Sequence, residues 1–119
     1  MDNLIEEYIS LATKHGETTL TGDYKVGNKI HAKLMKIIER IRNADNVTKT
    51  QFVNLMYHNN VSVKIWTAGT LLKTYESEAL SVLKGIEDNK DIFGLIAKTS
   101  IDSWRKGLLT NLVKWDFNK

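Results

Sequence analysis

The chain has 119 residues, 42% hydrophobic and 26% charged, a balance that fits one globular domain and excludes wholesale disorder. It contains neither proline nor cysteine. The first absence suits helix interiors, which proline breaks, and the second excludes disulfide frameworks and thiolate ligands or nucleophiles. The formal charge of +3 is uneven: residues 1–23 carry five acids and one lysine, residues 24–75 nine bases and two acids, and residues 76–119 seven of each. No stretch approaches the apolar length of a membrane span, and the acidic start MDNLIEEYIS has no signal-peptide core. The expectation is a soluble, cytoplasmic, single-domain protein.

The first helix is expected from about Asn3 to His15. Leu4, Ile5, Tyr8, Ile9 and Ala12 make its apolar stripe, Glu6 and Glu7 suit its dipole, and Gly16 is the expected stop. A threonine-rich connection, Glu17 to Gly22, follows. The second helix is expected to begin near Thr21 as N-cap and to run to Arg42. It is the cleanest amphipathic stretch: Ile30, Leu34, Ile37, Ile38 and Ile41 cluster on one side, with Lys25, Lys29, Lys33, Lys36 and Arg40 opposite. A turn from Asn43 to Val47 leads to Thr48 and Gln51, read as a capping box opening the third helix, with Phe52, Val53, Leu55 and Met56 as its apolar content.

The stretch Tyr57–Tyr75 organises the rest. After the turn Tyr57-His58-Asn59-Asn60, the fourth helix places Val61, Ile65, Ala68, Gly69, Leu72 and Tyr75 on one face, while Val63 and Trp66 point the other way. A helix apolar on two faces is sandwiched between neighbours. Its cap is Asn60 or Ser62. Ser77 is the expected cap of the fifth helix, with Ala79, Leu80, Leu83 and Ile86 inward, and Glu87–Asp91 is a turn. In the sixth helix Phe93, Ala97, Ile101, Trp104 and Leu108 share a stripe that reads as core. That helix ends at Gly107 or continues through the apolar tail 108–119. Ile65, Ala68 and Leu72 align at a shift of 29 residues with Gly94, Ala97 and Ile101, a weak internal repeat of the helical-solenoid kind. About six helices with short connections make three antiparallel hairpins.

The strings Thr21-Gly22-Asp23-Tyr24-Lys25…Asn28-Lys29, Leu55-Met56…His58…Val61…Val63-Lys64…Trp66…Ala68 and Ala97-Lys98…Trp104-Arg105-Lys106-Gly107 carry a resemblance. Over about residues 4–107 the chain resembles a family of small bacterial proteins known only as a domain of unknown function, built on HEAT-like repeats. It departs from that family at Gly69, where a second alanine is usual. The resemblance implies an all-α, HEAT-like α-α superhelix without established enzymatic activity. It also implies a suspected role as an immunity protein that neutralises a toxin.

The basic stripe reads in two ways: a solvated helix face, or a docking face for an anionic partner. In favour of docking, only Glu39 lies on that helix to balance five bases, and lysines at i, i+4 repel. An acidic protein surface, held at a concave face of the second, fourth and sixth helices by Lys29, Lys33, Lys36 and Lys64, is the preferred partner. Trp66 reads as an interface residue or, in preference, as packing against the adjoining repeat. Nucleic acid ranks lower, because single-strand sites interleave aromatics with bases and this helix offers only Tyr24. A monomer is expected, or a weak homodimer through the tail around Trp115 and Phe117. Asp23, Tyr24 and Asn28 form a polar group read as structural, Asp23 as a cap and Asn28 bonded to backbone. His58 reads as a capping residue. His15, His31 and His58 have no metal-ligand spacing, and no nucleophile elbow, phosphate loop or acid pair appears. Neither enzyme chemistry, metal nor cofactor is expected.

Overall fold

The computed structural model describes residues 3–117 and is all-α, with no strand among the described residues. Its helices are α1 (Leu4–Thr21), α2 (Tyr24–Arg42), α3 (Asn46–Asn54), α4 (Val61–Thr70), α5 (Glu76–Glu87) and α6 (Ile92–Arg105), with one 3₁₀ turn at Leu55–Tyr57.

Short polar side chains decide where most helices start, because the first backbone N–H groups of a helix lack internal partners. Asn3 accepts from the Glu6 N–H at 3.0 Å, and Asp91 accepts from Phe93 and Gly94 at 3.0 and 3.2 Å. Asn60, rather than Ser62, caps α4 by accepting from Ser62 and Val63 at 2.9 and 3.1 Å. Three expected caps are corrected. Asp23 replaces Thr21, accepting from Val26 at 3.3 Å. Asp45 caps α3 through the Thr48 N–H at 2.8 Å, so Thr48 receives the cap one turn inside the helix. Ser77 lies within the first turn of α5, whose start at Glu76 has no side-chain cap.

The larger correction concerns Gly16, which does not stop α1. The Thr18 and Thr19 hydroxyls donate to the His15 carbonyl at 2.8 and 3.0 Å, and the helix runs on to Gly22, whose φ of 76° is the left-handed C-cap. Gly16 marks instead the crossing of α1 with α4: a Cβ there would lie 2.7 Å from the Cβ of Ser62. The connection expected over Glu17–Gly22 is therefore almost wholly helical.

α1 and α2 pack along each other, as do α5 and α6, and α4 lies against α1, α5 and α6. The two-sided reading of α4 holds, since Val63 and Ala68 are both fully buried. The helix is shorter than expected and ends at Thr70, with Leu71 and Leu72 buried just beyond it. All five aliphatic residues of the α2 stripe are buried. So are Ala68 and Ala97, the aligned small residues of α4 and α6. Inside the core the Tyr8 hydroxyl donates to Thr67 Oγ1 at 2.9 Å, and Thr67 donates on to the Val63 carbonyl at 2.7 Å. Every buried polar group in this chain of bonds is satisfied. Burial raises the Tyr8 pKa far above its ordinary value.

Gly107, with φ of 72°, ends the last helical turn, and the segment after it folds back without regular structure. Trp115 anchors that segment: its ring stacks on Phe52 at 4.8 Å and its backbone N–H donates to Thr74 Oγ1 at 2.9 Å. Lys49, almost fully buried, donates to the Asp116 carbonyl and lies 5.3 Å from the Phe117 ring. Because the sixth helix ends at Arg105, Leu108 leaves the expected stripe and is 65% exposed. Trp104 is half-buried rather than core, its indole N–H donating to Glu76 Oε2 at 2.7 Å.

Candidate functional site

The crossing at Gly16 brings three aromatic side chains together from three helices. The Trp66 ring of α4 meets His15 of α1 edge-on at 5.2 Å and His31 of α2 at 5.4 Å, with the two imidazoles 6.3 Å apart. The Trp66 indole N–H donates to His15 Nδ1 at 3.4 Å. That bond needs an unprotonated Nδ1, so neutral His15 carries its proton on Nε2. Burial, and then the neighbouring His31, hold the His15 pKa below its ordinary value, which favours this neutral form.

These three residues stand in a groove of about 650 Å³. His31, Met35, Ile38 and Arg42 of α2 line one side; Ile65, Trp66 and Gly69 of α4 line the floor. Phe93, Ile96 and Ser100 of α6 line the far side, extended by Leu112, Val113 and Trp115 of the C-terminal segment. The groove thus draws on α1 as well as α2, α4 and α6, and the folded-back segment completes it. Most of the lining is apolar.

The basic stripe is elsewhere. Lys25, Lys29, Lys33, Lys36 and Arg40 are exposed, and none of them lines the groove. At 100° per residue the stripe lies roughly 140° around α2 from the groove-lining positions, with exposed Asn28, Ala32 and Glu39 in that arc and the buried aliphatic face on the other side of the helix. Lys64 is half-buried and, two residues from Trp66, sits on another side of α4. The structure therefore separates Trp66 from the lysines with which the sequence grouped it. Glu39, the one acid of α2, borders both the groove and, beside Lys36 and Arg40, a second hollow at the end of the stripe.

Of the polar group at the start of α2, Asp23 caps the helix as expected, whereas Tyr24 is 71% exposed. Asn28 is exposed, so its amide faces water and needs none of the backbone partners expected for it. His58 Nδ1 accepts from the Asn60 N–H at 3.0 Å, holding the turn whose next residue caps α4. Among the described residues no group of three or more histidine, cysteine or carboxylate side chains could hold a metal ion.

Sequence reading missed the His15–His31–Trp66 cluster because it ended the first helix at Gly16. Once the hairpin turns at Gly22 and Asp23, His15 and His31 are equidistant from the turn and must face each other across an antiparallel pair. The signal was the Gly22-Asp23 pair, a C-cap glycine followed directly by an N-cap acid. Comparison of the chain with protein-family models, curated proteins and solved structures finds no match.

Proposed function

We propose that this chain is a non-catalytic HEAT-like binding module that acts stoichiometrically, holding an acidic protein surface against the outer face of α2. On this reading it is a bacterial, cytoplasmic immunity protein and its partner a toxin. The observation that carries the reading is the exposed row from Lys25 to Arg40, about 22 Å long at 1.5 Å per residue. Glu39, beside Lys36 and Arg40, is the only acid on the helix. A pre-formed helical surface loses little conformational entropy on docking, which suits tight one-to-one complexes. A row of like charges raises the association rate of an oppositely charged partner.

The test is affinity capture from the source cells with the wild-type chain and with Lys25, Lys29, Lys33 and Lys36 all replaced by glutamate. The far-ultraviolet circular dichroism of the variant should match the wild type, while an acidic protein held at unit stoichiometry by the wild type should be lost. Undiminished capture overturns the reading. Affinity for a short DNA duplex falling with salt at a log–log slope near −4 would replace the protein partner with nucleic acid.

A further inference from the structure

The groove on the inner side of α2 has the dimensions of a small-molecule site: about 650 Å³, against about 300–1,000 Å³ for such sites in general. A mostly apolar lining with a few converging polar groups is also their usual make-up.

Gly69 supplies an independent sign of use. Glycine is a poor helix former, and an isolated one inside a helix calls for a packing or functional reason. At Gly16 the reason is packing, because a Cβ would collide with Ser62. At Gly69 it is not: a Cβ there would have no heavy atom within 4 Å. The space a side chain would fill is the groove itself, whose floor Gly69 lines. Gly85 of α5 has equally open surroundings, but it is exposed and borders no part of the groove.

The polar lining indicates the ligand's head group. With Nδ1 engaged by Trp66, neutral His15 presents Nε2–H as a donor, and His31 stands beside the same indole. Arg42 and Glu39 cancel in formal charge, so recognition of an anion falls to the two imidazoles, His15 as a donor and either ring as a group whose protonated form a neighbouring anion favours.

We propose that the groove binds an amphipathic small-molecule carboxylate, its apolar body over Gly69 and its head group at His15 and His31. This site lies on the opposite side of α2 from the basic stripe, so the two proposals stand or fall separately.

The probe is decanoate, with 1-decanol as its uncharged counterpart, followed by titration calorimetry and by the indole N–H signal of Trp66 in ¹H–¹⁵N spectra. Decanoate should bind at one site and shift the Trp66 signal, and decanol should bind at least fivefold more weakly. Gly69→Leu, which fills the groove without meeting a neighbour at its Cβ, should weaken decanoate at least tenfold while the thermal melt holds. His31→Leu, at an exposed position, should lower decanoate affinity and leave decanol unchanged. The quadruple lysine-to-glutamate variant should still bind decanoate. Equal binding by Gly69→Leu and wild type, equal binding of decanoate and decanol, or no saturable site below 1 mM as a rough ceiling for specific affinity would each overturn the proposal. So would self-association in light scattering that Gly69→Leu abolishes, which would assign the groove to a second copy of the chain.

Discussion

The two polar-rimmed sides of α2 were made in different ways. Its outer side is a row of cations set by one helix alone, at positions that repeat every three or four residues. Its inner side is one wall of a groove to which α1, α4, α6 and a non-helical segment also contribute. A surface built from one helix depends only on that helix forming. A surface assembled from five pieces of chain depends on every contact that sets their spacing. Substitutions on the outer side should therefore change charge with little effect on stability, and those behind the groove should change stability.

Trp115→Ala gives the widest expected contrast. It removes a ring that is 5% exposed and stacked on Phe52, and with it the anchor of the segment that walls the groove. Urea unfolding should show a loss of about 3–5 kcal/mol, whereas Lys33→Glu on the outer side should stay within about 0.5 kcal/mol. Similar losses for the two would erase the distinction between the sides.

Two glycines should respond with opposite sign. Gly16→Ala forces its Cβ against that of Ser62 at the α1–α4 crossing, and the strain should exceed the helix-propensity gain for a net loss of about 1–2 kcal/mol. Gly69→Ala meets no neighbour, so propensity alone acts and the melt should rise, by about 0.5–1 kcal/mol in stability. A stabilising Gly16→Ala would show that the crossing has room to spare.

The smallest effect is the pH dependence of His15. Its folded pKa lies below the ordinary imidazole value because burial, and then His31, disfavour the charged ring. Between the folded and unfolded values the unfolded chain binds the extra proton, so stability is full above about pH 6.5. It should be lost progressively as pH falls through the folded pKa. The charged groups that share the groove with His15 are His31 of α2 at 6.3 Å, and Glu39 and Arg42 further along the same helix. His15→Phe should flatten the decline in a series of urea melts from pH 7.5 to 5, and an unchanged slope would remove His15 as its source.

Much of the architecture was legible because it depended on periodicity. The aliphatic stripe of α2 and the two apolar faces of α4 each follow from 3.6-residue spacing, and each is found as expected. The errors fell at helix ends. Gly16 carries the same letter as a C-cap glycine, and only the presence of Ser62 across the crossing tells a close approach from a stop. Trp104 had a core position by its spacing, but it lies at the rim, where Glu76 takes its N–H.

By itself the chain determined that it is helical, which face of each long helix turns inward, and that α2 shows a row of bases to water. Those properties arise from neighbours within a few residues, where helix geometry alone sets direction. Only the tertiary structure decided that two histidines and a tryptophan meet, and that an aromatic-bearing segment after Gly107 closes the groove beside them. Each of these requires side chains far apart in sequence to share a few ångströms, and that distance is fixed by how the helices cross.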